Sequence, residues 1–232
     1  MPNLLTLQQV TKAFHLRPVL RDVSLSLGAG ERVFLAGRNG SGKTTLLKII
    51  AGVMRPEAGS GELAGRSMFS PDGRWRINMA YLGHQPNMYP SFSARENLQL
   101  ALRIRGQHWQ EQPFLEALDR YGLAGREDDA VGTYSEGMLR RLGLIRMTLS
   151  VWSLALLDEP ASALDIAGTQ LLSEAINHWQ QEGRTVLFTS HNIAWGVGLA
   201  DRCLLLARGV IGRELDQPGE QQVADLLQED AR

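Results

Sequence analysis

The sequence predicts an α/β fold organised around a mostly parallel sheet. Short apolar segments alternate with helical patterns near both ends of the chain of 232 residues. The middle of the chain, from about residue 90 to 150, is helical by periodicity. A glycine-rich loop also joins one short apolar segment directly to a helix. Together these features indicate one α/β core that a helical insertion interrupts.

The first quarter of the chain supplies the opening strands. Residues 3–10 and 19–27 are predicted to be strands, and Arg32–Ala36 a short buried strand. A helix is predicted from Thr44 to Ala51. The segment RPEAGSGELAG, residues 55–65, is rich in turn-forming residues, so we expect a surface excursion there.

Periodicity predicts the elements that follow. A strand is expected within 77–85, and Ser93 is a suitable N-cap for the next helix. Helices are predicted within 91–106, 111–123, 136–150 and 167–181. Strands are predicted at 153–158, 185–190 and 202–207. Strand–helix alternation of this kind implies parallel strands.

We expect residues 1–232 to form one domain. Its core comprises about 1–88 and 151–215, and a helical subdomain at about 89–150 is inserted between the two parts. The tail, 216–232, is polar with a short apolar periodicity, which predicts a terminal helix.

Composition excludes several classes of protein. No run approaches the roughly 20 apolar residues that span a bilayer, and the N-terminus lacks the cationic start and apolar stretch of a secretory signal. Cys203 is the only cysteine, which rules out an internal disulfide and fits a reducing cytosol. The net charge of -1 gives no basic excess, so no nucleic-acid partner is expected.

The segment Gly37–Thr44, GRNGSGKT, fits the pattern G-x-x-x-x-G-K-[ST] between a strand and a helix. Glycines let the backbone N–H groups curl around a polyphosphate, and the helix start points its dipole at the anion. Lys43 would place its charge on the β- and γ-phosphates, and the Thr44 hydroxyl would ligate Mg²⁺. The residues expected to contact the nucleotide here are Gly37, Asn39, Gly40, Ser41, Gly42, Lys43, Thr44 and Thr45.

Two later segments supply groups for hydrolysis. SLALLDEP predicts a buried strand that delivers Asp158 to its C-terminal edge, where the carboxylate would hold Mg²⁺. Glu159 follows and would accept a proton from the attacking water. His191, at the tip of TVLFTSHN, would contact the γ-phosphate and this base. The alternatives are a turn with two solvated acids and a surface histidine.

The motifs and their order along the chain resemble those of the ATPase subunits of ABC transporters, and the resemblance covers about residues 3–215. Gly37–Thr44 corresponds to the Walker A motif and Leu154–Glu159 to the Walker B motif. The segment SALD, Ser162–Asp165, is similar to the D-loop. The resemblance implies a P-loop NTPase core with a mostly parallel sheet, an N-terminal antiparallel β part and an inserted helical subdomain.

The resemblance also assigns roles to single residues. Gln85, in GHQPNMYP, would be the glutamine that reaches Mg²⁺ and the attacking water. His191 would be the switch histidine. Phe14, in VTKAF, would stack on adenine, although it is also compatible with a core aromatic.

The segment YSEGM, residues 134–138, is similar to the family signature L-S-G-G-Q but departs from it at three positions. Ser135 and Gly137 are retained, and the resemblance implies that they bind the γ-phosphate; the alternative for Ser135 is a simple helix N-cap. Glu136 adds a negative charge near ATP, and we expect it to point away from the nucleotide. An i,i+4 pair with Arg140 is the alternative.

The resemblance further implies the partners. ATP would be sandwiched between the cradle of one chain and the signature of another, in a head-to-tail dimer with a second copy or a homologous ATPase. An integral membrane subunit would dock a short helix in a groove near Gln85, beside NMYPSF. The chain would therefore be cytoplasmic and peripheral on the inner face of the cell membrane.

The transported substrate is less constrained. Compact size, the segment GHQPNMYPSFSARENL and the short tail resemble the haem-exporter ATPases of cytochrome c biogenesis, and YSEGM resembles the wider group of ABC-2 exporters. The alternative is a non-transport ABC ATPase, such as a soluble iron–sulfur assembly ATPase. A P-loop kinase would lack the signature.

Overall fold

A computed structural model of the chain describes residues 3–84 and 87–230. Gln85 lies outside the described residues, so its predicted role stays a prediction. The strands are β1 (Asn3–Phe14), β2 (Arg17–Gly28), β3 (Arg32–Ala36), β4 (Ala58–Leu63), β5 (Arg66–Ser67), β6 (Met79–Leu82), β7 (Leu154–Leu157), β8 (Thr185–Phe188), β9 (Arg202–Ala207) and β10 (Val210–Asp216). The helices are α1 (Lys43–Ile50), α2 (Ala94–Ile104), α3 (Glu111–Arg120), α4 (Glu136–Leu149), α5 (Ile166–Gln181), α6 (Ile193–Leu199) and α7 (Glu220–Glu229).

The strands form two sheets. The smaller is antiparallel, with strand order β2-β1-β4-β5, and the larger has the order β10-β9-β3-β8-β7-β6. All neighbours in the larger sheet pair in parallel except the edge strand β10, which is antiparallel to β9. The predicted α/β class with a mostly parallel sheet and an N-terminal antiparallel part is confirmed.

The larger sheet is buried on both faces because its side chains alternate between two apolar clusters. In β7, Leu154 and Leu156 join the cluster that also contains the antiparallel sheet and α1. Ala155 and Leu157 point to the opposite cluster, which packs against the helices between β6 and β7 and against α5. The sheet is therefore a rigid support for the loops at its edge.

The helical insertion folds as its periodicity predicts. Ser93 caps α2 with a capping box: its Oγ accepts from the Glu96 N–H at 3.1 Å, and the Glu96 carboxylate accepts from the Ser93 N–H at 2.8 Å. Helices α3 and α4 follow, and α4 packs against both α2 and α3.

Three local predictions need correction. Residues 55–65 are more than a surface excursion, because Ala58–Leu63 forms β4 and pairs with β1. Its glycines permit this pairing: a Cβ on Gly59 would lie 2.6 Å from the Gln9 carbonyl oxygen.

The strand β8 ends at Phe188, two residues before the predicted Ser190, because Thr189 and Ser190 belong to the loop that follows. Helix α1 begins at Lys43, one residue earlier than predicted.

Candidate active site

Four neighbouring strands of the larger sheet send their carboxyl ends to one edge. In the order β3-β8-β7-β6 these ends lead into the glycine loop, the segment with His191, the pair Asp158 and Glu159, and the segment with Gly83. Ligands bind in open α/β sheets outside the carboxyl ends of the strands. The topology therefore brings together three sequence motifs that are more than 30 residues apart.

A cavity of about 520 Å³ lies at this edge. Its lining contains most of the residues predicted to bind the nucleotide: Phe14, Asn39, Gly40, Gly42, Lys43, Thr44 and Thr45. The predicted base Glu159 and the predicted switch histidine His191 also line it, as does Val19, which was not predicted. Gly37 and Ser41 lie in the same loop but line adjacent cavities. Phe14 is 41 % exposed at the end of β1, with Lys12 Nζ 5.5 Å from its ring centre. An exposed aromatic that lines the cavity suits stacking on a planar base.

The glycine loop needs its glycines. Gly42 has φ 110°, and a Cβ there would lie 2.8 Å from Leu20 Cδ2. Lys43 is 9 % exposed and donates from Nζ to the carbonyl oxygens of Gly37 at 2.6 Å and Arg38 at 3.2 Å. Burial lowers the pKa of Lys43, and the charges of Glu159 and Asp158 act against this shift. The ammonium is thus held at the loop, within the field of both carboxylates.

Asp158 is 3 % exposed and accepts two hydrogen bonds at Oδ1. The donors are Thr44 Oγ1 at 3.1 Å and Thr189 Oγ1 at 3.2 Å. A hydroxyl and a carboxylate in contact are hard oxygen ligands, the type that Mg²⁺ takes beside phosphate and water. The described residues contain no group of three His, Cys, Asp or Glu side chains placed to hold a metal. Thr44 and Asp158 therefore present two adjacent oxygen atoms at this edge of the sheet.

Glu159 is held in a strained conformation. Its φ is 51°, in the left-handed region, and its N–H donates to Thr189 Oγ1 at 2.9 Å. Its carboxylate accepts at Oε2 from the backbone N–H of His191 at 2.9 Å. The other oxygen, Oε1, is buried, lies 3.5 Å from His191 Nε2, and accepts no hydrogen bond from any described residue. This arrangement leaves one carboxylate oxygen with capacity to accept a proton.

The signature segment has different surroundings. Ser135 is exposed and caps α4, with its Oγ accepting from the Met138 N–H at 3.2 Å. Among the described residues that line the 520 Å³ cavity, neither Ser135 nor Gly137 is present. Glu136 is exposed and lines a separate groove of about 630 Å³ beside His84 and Leu139. Among the described residues no ion pair within 4.0 Å joins Glu136 to Arg140, although the negative charge of Glu136 acts to raise the pKa of Arg140 against the lowering effect of burial.

Sequence reasoning missed two residues of this edge. Thr189 bridges Asp158 and the Glu159 backbone, and the signal for it was a hydroxyl directly after the strand TVLF. Arg140 is fully buried and crosses from α4 to the segment after β6. Its burial leaves no mark in the sequence, where it stands beside a second arginine on a helix.

The fold and the site define a nucleotide-binding ATPase cassette. The family model described as ABC transporter matches residues 20–162, and the chain belongs to this family. It is an ATP-binding, ATP-hydrolysing subunit of the ABC type, and cassettes of this family act as dimers with membrane subunits.

Two curated relatives and one solved cassette illustrate the similarity. The chain is 39% identical over 176 residues to the cytochrome c biogenesis ATP-binding export protein CcmA of Vibrio cholerae, covering 75% of this chain and 84% of that protein. It is 35% identical over 212 residues to the aliphatic sulfonates import ATP-binding protein SsuB 3 of Pseudomonas syringae pv. tomato, covering 91% and 76%. The dimeric structure of the bacterial cassette MJ0796 superposes with a TM-score of 0.84 at 25% identity, covering 93% of this chain and 99% of that one.

Within residues 3–84 and 87–230, no helix combines the length and apolar character that crossing a bilayer requires.

Proposed function

We propose that this chain energises export through a separate integral membrane subunit, and that the exported group is haem for cytochrome c biogenesis. The observation that carries the proposal is the similarity to CcmA proteins, at 39% identity for Vibrio cholerae and 36% for Escherichia coli, over 75% of this chain in each case. The sequence of residues 83–98, GHQPNMYPSFSARENL, supports it, because this sequence resembles that of haem-exporter ATPases.

The 520 Å³ cavity is the ATP site in this proposal. Phe14 stacks on the base, and the loop from Gly37 to Thr45 wraps the phosphates with its N–H groups. Lys43 then exchanges the Gly37 and Arg38 carbonyl oxygens for phosphate oxygens, which are better acceptors because they carry charge.

Mg²⁺ would be held by Thr44 and Asp158, with Gln85 as a further expected ligand, and when bound it neutralises charge on the β- and γ-phosphates. The distance of 3.1 Å between Thr44 Oγ1 and Asp158 Oδ1 supports this assignment, because both oxygen atoms could coordinate one ion. Thr189 fixes the carboxylate of Asp158 so that its second oxygen is available.

Glu159 acts as the general base. Its Oε1 accepts the proton of the attacking water, while the His191 N–H holds Oε2 and so fixes the carboxylate plane. The His191 side chain is 66 % exposed, so its imidazole is available to a γ-phosphate that enters the cavity. Hydrolysis removes that phosphate and with it the contact.

Ser135 and Gly137 cap the γ-phosphate bound by a second copy in a head-to-tail dimer. Their position at the start of the 14-residue helix α4, where Ser135 is exposed and Gly137 is half-buried, away from the cavity of their own chain, supports this role. The dimeric state of the similar cassette MJ0796 is consistent with it.

The groove of about 630 Å³ receives a short helix of the membrane subunit. Its lining is mostly apolar and includes Met88, Pro90, Val131 and Leu139. Tyr89 and Phe92 stand exposed beside it with ring centres 5.4 Å apart, although they do not form its lining. A surface groove of this size with apolar side chains in its lining suits docking of the apolar face of a helix.

The test is a deletion of the gene in its own host, followed by complementation. We expect deletion to abolish covalent haem attachment to c-type cytochromes, measured by haem-dependent peroxidase staining. The wild-type gene should restore staining, and a gene carrying Glu159→Gln should not.

The similarity to SsuB 3 over 91% of the chain favours import of a sulfonate as a second candidate. Normal c-type cytochromes in the deletion strain, together with loss of growth on alkanesulfonates as sulfur source, would contradict the haem proposal and support this one.

A further inference from the structure

We propose that Arg140 is a positioning residue for ATP hydrolysis, and that it couples helix α4 to the backbone of Glu159 through the Ser162 hydroxyl. The inference rests on the role proposed above for Glu159 and adds to it a route by which movement of α4 reaches that residue.

Arg140 is 0 % exposed, although it carries a permanent charge. Its two terminal nitrogens donate to the Gly83 carbonyl oxygen at 2.8 Å, the His84 carbonyl oxygen at 2.7 Å and Ser162 Oγ at 3.0 Å. No carboxylate of a described residue lies within 4.0 Å of it. The charges of Glu136, Asp158 and Glu159 oppose the cost of this burial from a greater distance. A buried guanidinium with no carboxylate in direct contact is still costly, so a well-packed apolar residue would serve a purely structural purpose better.

The three acceptors of Arg140 belong to two different parts of the site. Gly83 and His84 follow the edge strand β6, next to the predicted position of Gln85. Ser162 lies in the turn after Glu159, and its Oγ donates to the Glu159 carbonyl oxygen at 2.8 Å. One guanidinium therefore holds α4, the segment after β6 and the turn after Glu159 at fixed distances from one another.

The contact with Ser162 matters because of the backbone of Glu159. A non-glycine residue keeps a φ of 51° only where its surroundings over-determine it. The Glu159 carbonyl oxygen accepts from both the Ser162 N–H, at 3.1 Å, and the Ser162 hydroxyl, while its N–H donates to Thr189. If Arg140 moves, Ser162 loses the donor that orients its hydroxyl toward this carbonyl.

A second contact ties α4 to the same turn. Gly137, in the first turn of α4, lies so close that a Cβ there would be 2.9 Å from the Ala163 carbonyl oxygen. Ala163 itself has φ 63°. Any displacement of the start of α4 must therefore move the turn of residues 159–163, or break its contacts with Gly137 and Arg140.

Arg105 provides a matched control within the same chain. It also sits among backbone carbonyls, donating to Met79 O at 2.9 Å, Ile77 O at 2.7 Å and Val151 O at 2.8 Å. Like Arg140, it has a buried Nε without a partner among the described residues. It makes no contact with the turn after Glu159. Its replacement therefore removes an equivalent brace without touching the proposed route.

The experiment measures ATP hydrolysis and thermal unfolding of the purified full-length chain. Arg140→Gln should lower kcat by about 10- to 100-fold, with KM for ATP within about twofold of wild type, because the base is misplaced while the phosphate cradle is intact. Ser162→Ala should lower kcat in the same way. The double variant should be no slower than the slower single variant, since both changes break one route. Arg105→Gln should lower the Tm but keep kcat.

Several results would overturn the inference. The first is a wild-type kcat for Ser162→Ala. The second is a double variant whose loss of kcat equals the product of the two single losses. The third is a loss of kcat in Arg105→Gln equal to that in Arg140→Gln. If Arg140→Gln does not fold, Ser162→Ala decides the question alone. Glu159→Gln in the same assay distinguishes failure of the proposed base from failure of the proposed coupling through Ser162. If Glu159→Gln retains wild-type kcat, Glu159 is not the base. If Glu159→Gln is inactive while Ser162→Ala is fully active, only the coupling from Arg140 through Ser162 is overturned.

Discussion

The two halves of the proposed ATP sandwich are built in opposite ways. The cradle half is internal: Lys43 is 9 % exposed, Asp158 is 3 % exposed, and both are hydrogen-bonded within the chain. In the signature half, Ser135 and Glu136 are exposed, and the Ser135 side chain makes a local hydrogen bond that caps its own helix. In the proposed head-to-tail arrangement, each site therefore takes its catalytic groups from one chain and its cap from the partner. A change in the cradle should impair the ATP site of the copy that carries it, whereas a change in the signature should impair the ATP site of the opposite copy.

Replacing Glu159 by glutamine should give the largest effect on the cradle half. We expect kcat to fall by about 10²–10⁴-fold, because the proton acceptor is lost, while ATP still binds. Glu136→Gln is the control, since Glu136 is an exposed acid in the signature half. Steady-state hydrolysis and equilibrium ATP binding measure both. Wild-type turnover in Glu159→Gln would remove Glu159 from its proposed role.

Replacing Ser135 by arginine tests the signature half and should give the next largest effect. Hydrolysis should fall by at least about 10-fold, because a bulky cation replaces a donor to the γ-phosphate and one transition-state donor alone contributes that much or more. The Kd of the monomer for ATP should stay as in wild type. A raised monomer Kd would mean that Ser135 contacts the nucleotide held by its own chain.

Replacing Thr189 by valine tests how far the cradle half depends on internal hydrogen bonds. The change keeps the side-chain shape, leaves the Glu159 N–H unpaired and should cost about 1–3 kcal/mol in the free energy of unfolding. Thr185→Val is matched to it: Thr185 lies at the other end of β8, is equally buried, and bonds Gly28 and Gly30 instead. Both variants should lose similar stability, and only Thr189→Val should lose kcat. Equal kcat in the two variants would contradict the role of Thr189.

The smallest expected effect concerns pH. Burial lowers the pKa of Lys43 from its ordinary 10.5, so Lys43 loses its charge at a lower pH than an exposed lysine does. The ATP affinity that depends on this charge should decline at the same lower pH. The charge of Glu159 raises this pKa. In Glu159→Gln the alkaline decline of ATP affinity should therefore move to still lower pH. In Glu136→Gln it should not move, and a shift there would contradict the separation of the two halves.

Local sequence patterns were sufficient to predict the elements that are stabilised by contacts between residues close together in the sequence. The capping box at Ser93 and the glycine loop before α1 are of this kind, since neighbouring residues alone satisfy them. The parallel sheet followed from strand–helix alternation, and it placed the carboxyl ends of β3, β7 and β8 at one edge before any side chain was considered.

Features that depend on distant contacts could not be predicted in this way. The segment AGSGEL has a glycine content typical of turns, and it is a strand only because β1 lies against it at close range. Arg140 looks like a solvated helix charge until the fold brings Gly83, His84 and Ser162 around it. Thr189 needed the pairing of β7 with β8 to meet Asp158.

The most direct test of the sandwich mixes two inactive variants. Lys43→Ala removes the cradle of one copy, and Ser135→Arg removes the cap of the other. A mixed head-to-tail dimer has one intact site, formed by Lys43 of the second variant and Ser135 of the first. Because random pairing makes about half of the dimers mixed, hydrolysis should return to about a quarter of the wild-type rate. If the mixture stays as inactive as each variant alone while mixed dimers are shown to form, each chain does not cap the ATP of its partner, and the central claim is wrong.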